Sequence, residues 1–326
     1  MDDASLSDTP DRSQPPGGEL GHIVKQLSPL LGEAEGHPEP LEGGITNRNF
    51  RARFGGVEYV IRVPGKDTGL LEIDRGAERI ANERAARIGI APPVAAMLDE
   101  PQCIVTLFVE GAGMEPAELR EPGMLTQVAR SLRAIHELGE PLPTSFDSFR
   151  IVETYAETAR ERGAQVPDAY GEAHVHAQAI EAALSGPEHE PVPCHNDLLA
   201  ANFIRGAKQL WIVDWEYAGM GDRYFDLANF AVNNELGEAE QQTLLAAYFG
   251  MTDADPHEPA RRLAALRLMC LMSDFREAMW GVVQTALSEL DFDFEAYARK
   301  HFERMLETAG DPDFATWLDE AREPQG

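Results

Sequence analysis

The segment Cys194-His195-Asn196-Asp197-Leu198-Leu199-Ala200-Ala201-Asn202, followed by Trp211-Ile212-Val213-Asp214, sets three oxygen-bearing side chains at spacings suited to moving a phosphoryl group. Transfer of a γ-phosphoryl group to an alcohol needs a carboxylate that orients and deprotonates the accepting hydroxyl, and hard oxygen ligands for Mg²⁺. Asp197 suits the first task, and Asn202 and Asp214 suit the second. An Asp and an Asn on one short loop can face the same phosphate, one as base and one as metal ligand. An Asp that closes the apolar run Leu210 to Val213 stands at a strand terminus and offers its carboxylate to the metal from the other side.

The order His-x-Asp-x-x-x-x-Asn with a later strand-end Asp is a relative of the catalytic loop and metal-binding pair of protein kinases. The elements that must hold these residues are legible from periodicity. Upstream, Gly43-Gly44-Ile45-Thr46-Asn47 lies between two strand-like segments, a hairpin able to approach phosphates closely. Val57 to Gly65 is β-rich with Arg62 as its one base. Arg62 is thus the cation available to nucleotide phosphates, the alternative being an edge-strand charge facing solvent. Ile73, Ala77, Ile80, Ala81, Ala85 and Ile88 have helical spacing that closes at Gly89, and Glu78 or Glu83 on this helix can meet Arg62. Cys103 to Val109 reads as a buried strand that includes Phe108 and runs into Glu110-Gly111, a hinge whose backbone groups can bind adenine.

Downstream the period is helical over about 124–138, 152–162, 173–184, 222–233, 238–249, 259–288, 294–307 and 314–322. Strands early and helices late predict an α+β, bilobal fold, with a small β-rich N-lobe and a larger, mostly helical C-lobe, and the resemblance of the catalytic loop to that of protein kinases implies that this fold is protein-kinase-like. The expected boundaries are an acidic disordered tail over 1–20, the N-lobe over 21–108, the hinge over 109–112 and the C-lobe over 113–326.

The chain has 326 residues, 43% of them hydrophobic and 26% charged, enough for two cored lobes of a soluble enzyme. The first residues carry no apolar core of a secretion signal, and no apolar run is long enough for a membrane span. Cys103, Cys194 and Cys270 match no metal-ligand spacing and suit a reducing compartment, so the cytoplasm is expected. The net charge is −28, of which about −22 lies beyond residue 40. That balance argues against a nucleic-acid partner and reads first as a solubility feature and secondarily as a field that attracts cationic substrates.

With these residues placed, the chain resembles the choline/ethanolamine kinase family, in the manner of its bacterial choline kinases, within the aminoglycoside phosphotransferase and protein-kinase-like superfamily. The likeness runs over about residues 40 to 310. Gly43-Gly44-Ile45-Thr46-Asn47 resembles the family's nucleotide loop, which implies Gly44, Thr46 and Asn47 as ATP contacts, with Phe108 beside them. Val60 to Gly65 resembles its phosphate-binding strand, with Arg62 in place of Lys. Ile73-Asp74-Arg75 followed by Glu78 resembles its helix start and favours Glu78 over Glu83 as the partner of Arg62. His195-Asn196-Asp197, Val213-Asp214-Trp215-Glu216-Tyr217-Ala218 and Asp222 to Asn229 resemble its catalytic segments, with His195 and Asp226 in structural roles. Trp280-Gly281 and Tyr297-Ala298 resemble its C-terminal stretch.

The resemblance implies ATP and Mg²⁺ as cofactors and a small cationic alcohol, choline or ethanolamine, as acceptor. A trimethylammonium group cannot donate hydrogen bonds, so it needs aromatic faces and nearby acid. Trp280, Tyr217 and Tyr224 are the candidate rings and Glu216 the acid. Val283 departs from the eukaryotic choline kinases, which carry a second Trp there, and this admits ethanolamine or another small amino alcohol. Trp280 has a plainer reading, as a core residue on an apolar stripe with Leu271, Met272 and Phe275. An aminoglycoside, thiamine or a sugar as acceptor, or a catalytically silent nucleotide-binding protein, are the alternatives left open.

Overall fold

The computed structural model describes residues 18–41, 47–65, 73–250, 256–288 and 290–322, so Gly44 and Thr46 lie outside the described residues. The chain divides into two compact units, Met1–Lys66 with Pro92–Val109, and Asp67–Ala91 with Glu110–Gly326.

The first unit holds helix α1 (Glu19–Leu31) and the strands β1 (Glu39–Leu41), β2 (Asn47–Phe54), β3 (Val57–Pro64), β4 (Val94–Asp99) and β5 (Gln102–Leu107). Helix α1 begins inside the segment read as tail. The strands form one antiparallel sheet in the order β1-β2-β3-β5-β4. Gly55 and Gly56 join β2 to β3 with φ of 53° and 82°. A two-residue hairpin whose central residues both need positive φ selects glycine at each. Along β3, Tyr59, Ile61 and Val63 are buried and alternate with Val60 and Arg62 on the other face. They share a core with Ile23 and Leu27 of α1 and Val105 of β5. Because β3 is bonded to β2 and β5 on its two sides, Arg62 is not an edge-strand charge.

The second unit begins with α2 (Arg75–Arg87), followed by β6 (Ala112–Gly113), α3 (Pro116–Leu119), α4 (Pro122–His136), α5 (Ser148–Glu161) and α6 (Ala169–Ala183). Four short strands come next, β7 (Val192–Cys194), β8 (Phe203–Arg205), β9 (Leu210–Ile212) and β10 (Gly219–Gly221). It ends with α7 (Arg223–Asn233), α8 (Glu238–Phe249), α9 (Glu258–Leu287), α10 (Phe294–Ala309) and α11 (Phe314–Glu320). Strand β7 pairs with β10, and β8 lies between β6 and β9, all antiparallel. Helix α2, which carries Glu78, belongs by its contacts to this unit, because Ala81 and Ala85 pack into its core. Asp74 caps it by accepting from Ala77 N at 2.9 Å, a bond of about 1 kcal/mol.

Helix α9 is the axis of the second unit. From Ala264 to Gln284 nearly every side chain is buried, and the helix packs against α5, α7 and α10. A helix buried all round has no solvent face for its charges, so each charge needs a partner or a function. Asp274 meets His301 at 2.8 Å and Arg304 Nε at 2.8 Å. Among the described residues, no helix is long and apolar enough to cross a membrane.

Candidate active site

Strand β7 delivers the chain to His195, the segment 195–199 forms the loop, a turn of 3₁₀ helix ends at Asn202, and the β8–β9 hairpin returns it to Asp214. Helix α7 fastens the loop from below. Asp226 accepts from His195 N at 2.9 Å and from Asn196 N at 2.6 Å, and its carboxylate lies 3.0 Å from His136 Nε2. Asn229 accepts from Leu198 N at 2.6 Å. Burial works against the Asp226 charge, but the hydrogen bond and charge of His136, with the hydrogen bond from the backbone of His195, outweigh it and hold the carboxyl below its usual range.

His195 ties the loop to the far end of the hairpin. Its Nδ1 accepts from Asp197 N at 3.2 Å, which leaves Nε2 to donate to Val213 O at 3.0 Å. The ring stands edge-on to Trp215, 4.6 Å between centroids. Asn202 closes the loop on itself, its Nδ2 donating to Asp197 O at 2.8 Å and lying 3.3 Å from Asp197 Oδ2. With the amide nitrogen so committed, the Asn202 oxygen is the atom left for a cation. Val213 N donates to Asn202 O at 3.0 Å and so brings Asp214 beside the same loop. Asn196 and Asp214 adopt φ of 66° and 68°. Left-handed backbone costs a non-glycine residue roughly 1 kcal/mol, least for Asn and Asp, and such strain is kept where side chains must be aimed.

Asp197 is buried. Burial first, then the negative charges of Glu277, Asp214 and Glu216, push its carboxyl well above the usual range, while Arg276 opposes them. A carboxyl so raised takes a proton from a hydroxyl more readily than a solvated one. The oxygen donors fit a hard divalent cation, since Asn202 and Asp214 contribute an amide oxygen and a carboxylate from neighbouring segments.

Around this loop lies an aromatic corner. Trp280 Nε1 donates to the Tyr217 hydroxyl at 3.1 Å, and the Trp280 ring meets Tyr297 and Phe294 edge-on at 5.6 and 5.8 Å. Trp280 is therefore both a core residue and a polar contact. Val283 is fully buried. Tyr297 donates its hydroxyl to Glu277 at 2.7 Å, and Arg276 Nη1 donates to the other oxygen of Glu277 at 2.7 Å. The Arg276 guanidinium lies over the Tyr217 ring, 4.3 Å from its centroid. Glu216, Tyr217 and Tyr155 line a cleft together with Asp74 and Ile151. Arg75 bridges Glu216 at 3.1 Å and Glu78 at 2.7 Å.

The structure thus gathers Asp197, Asn202, Asp214, Glu216, Tyr217 and Trp280, with His195 and Asp226 beneath them. It does not bring Tyr224 to the corner. That ring is fully buried, bonded through its hydroxyl to Glu188 at 2.6 Å and packed on His189 and Phe249. In the first unit, Asn47 is buried at the start of β2, Arg62 is half-buried on β3, and Phe108 is covered on one face by Arg51, 4.2 Å from the ring centroid.

Arg75, Tyr155, Arg276, Glu277 and Tyr297 belong to the site geometry and were not among the candidates read from sequence. Arg276-Glu277 carried a signal, being adjacent charges that interrupt the apolar residues Phe275, Ala278 and Met279.

Comparison with known proteins follows the same lines. The model of the phosphotransferase enzyme family matches residues 37–263. Ethanolamine kinase 2 of Rattus norvegicus is 29% identical over 308 residues, covering 85% of this chain and 77% of that protein. A crystal structure of a choline/ethanolamine kinase family protein from Mesorhizobium loti superposes with a TM-score of 0.77 at 30% identity, covering 92% of this chain and 98% of that one. Choline kinase LicA from Streptococcus pneumoniae superposes with a TM-score of 0.73 at 25% identity, over 88% and 97% of the two chains.

Proposed function

The chain belongs to the phosphotransferase enzyme family, with the protein-kinase-like fold, and from that premise we propose that it transfers the γ-phosphoryl group of ATP to the hydroxyl of choline or ethanolamine. One observation supports the chemistry: Asn202 is bonded to Asp197 while Val213 binds Asn202, so a buried carboxyl of raised proton affinity and two oxygen donors stand on neighbouring segments that are bonded together. Asp197 orients the acceptor hydroxyl and takes its proton as the phosphoryl group arrives. Asn202 and Asp214 hold Mg²⁺, which supplies neutralising charge to the phosphates when bound. Asn47, Arg62 and Phe108 contact the nucleotide, and the sequence motif extends that role to Gly44 and Thr46. The activities of the relatives support the acceptor class, as do the carboxylates of Glu277, bonded to Tyr297, and of Glu216, which lines the cleft with Tyr217. All three cysteines are unpaired thiols, in keeping with the reducing cytoplasm, where ATP is available.

The test is ADP release with choline, ethanolamine, thiamine and kanamycin. Saturable turnover with choline or ethanolamine, at kcat/KM at least tenfold above the other two, is the expected result. Turnover on kanamycin or thiamine alone would reverse the acceptor assignment, and Mg·ATP binding without turnover on any alcohol would remove the catalytic one.

A further inference from the structure

Arg276 is 2% exposed and stands on α9, the helix that is buried on every side. Its Nη1 is bonded to Glu277, but Nε and Nη2 are buried without a hydrogen-bond partner. Leaving two guanidinium donors unsatisfied in a protein interior is costly, a cost kept where a ligand completes them. The pair has a defined chemistry. Nε–H and Nη2–H point the same way along one edge of the guanidinium plane, forming the fork that binds carboxylate or phosphate through two parallel hydrogen bonds. The guanidinium carbon lies over the ring of Tyr217, which lines the cleft, 4.3 Å from its centroid. Arg276 is close enough to Asp197 for the two charges to act on each other.

An ammonium group cannot satisfy these donors, since it has no acceptor. The fork needs an oxyanion, and beside the base that deprotonates the acceptor hydroxyl the oxyanion that the reaction delivers is the phosphoryl group. Resting on the function proposed above, we propose that Arg276 is a further catalytic residue, whose Nε–Nη2 fork binds two oxygens of the phosphoryl group as it bonds to the acceptor oxygen, and holds them in the phosphorylated product. The acceptor O–P bond forms as the bond from the γ-phosphorus to the ADP oxygen breaks, the hydroxyl proton passes to Asp197, and Arg276 transfers no proton. The cation that covers Tyr217 is therefore the protein's own, and the substrate ammonium is left to the Trp280 and Tyr297 side.

Arg276→Lys keeps a cation beside Glu277 and removes the fork, and Arg276→Met removes both. With thermal melting to establish folding, Arg276→Lys is expected to lose about 100-fold or more in kcat with the KM for the alcohol within about threefold. Calorimetry gives a second readout. Phosphoethanolamine and phosphocholine should bind Arg276→Lys at least tenfold more weakly than wild type, with the affinity for the parent alcohols unchanged. A folded Arg276→Lys enzyme that keeps wild-type kcat and product affinity would overturn the proposal. So would a wild-type preference for hydroxy amino acids such as serine over ethanolamine, lost in the variant, since the fork would then serve an acceptor carboxylate. If neither choline nor ethanolamine is turned over, the acceptor reading fails by itself. The fork is then read from inorganic phosphate binding in the presence of Mg·ADP, which Arg276→Lys must weaken for the proposal to stand.

Discussion

At the scale of single residues, the decisive quantity is the proton affinity of Asp197. Its carboxyl is raised by burial and by three neighbouring acids, so the enzyme should lose activity on acidification well before an ordinary aspartate, with a pKa near 3.9, would titrate. The base works ionised, so kcat/KM must fall as pH drops through that raised pKa. A profile flat down to about pH 4 would sink the assignment. The same shift bears on stability. The folded state binds this proton more tightly than the unfolded chain, so folding loses stability as pH rises from the ordinary value to the raised one. Asp197→Asn removes that loss. Its turnover should fall by about 10²- to 10⁴-fold while its melting temperature rises above wild type, by more at pH 8 than at pH 5. Measured without nucleotide or Mg²⁺, a variant that melts lower at pH 8 would show that Asp197 supports the loop more than burial strains it.

Between elements, the site depends on how closely α9 approaches α10. A Cβ added at Gly281 would come within 3.1 Å of Ala298 Cβ and of Tyr297 Cδ1. Those helices carry Arg276, Glu277 and Trp280 on one side and Tyr297 on the other. Gly281→Ala should therefore cost about 1–3 kcal/mol in denaturant unfolding and raise the KM for the alcohol by shifting Tyr297. Gly171→Ala on α6, where a Cβ meets nothing within 4 Å, is the control and should be neutral or mildly stabilising. Equal stability of the two variants would mean that the contact yields freely. This scale also marks where sequence stopped being informative. Helix α8 spans the residues its periodicity names, and Asp74 and Asp222 mark the starts of α2 and α7 because side-chain caps leave a local signature. Of the three-residue strands, β9 shows as the apolar run before Asp214, whereas β7, β8 and β10 leave no such trace, being too short for alternation and held by pairing across the chain. Tyr224 misled for a related reason. A tyrosine two residues from the catalytic-loop brace Asp226 looks accessible in sequence, whereas its helix turns it towards Glu188. Arg276 was missed because helical periodicity reports which face is apolar, and a helix buried on all faces has none to report.

Over the whole molecule, charge sets two opposed salt dependences. With 56 acids against 28 bases, the described arginines are largely drawn into ion pairs and many acids remain on the surface. Surface pairs contribute little, about 0–1 kcal/mol each, so the net repulsion is the larger collective effect. Raising NaCl from 0.05 to 1 M shortens the screening length to about 3 Å and weakens that repulsion, so the melting temperature should rise by several degrees. NaCl is preferable to sulfate here because sulfate strengthens apolar burial on its own. The same screening removes the field that draws a cation to the acidic cleft. For choline or ethanolamine, kcat/KM should fall across the same range while kcat holds, because kcat is read after the alcohol has bound. A melting temperature that falls with salt would give the ion pairs the greater weight. A kcat/KM indifferent to salt would mean that the acceptor is recognised by local contacts alone, with the −28 charge serving solubility and not capture.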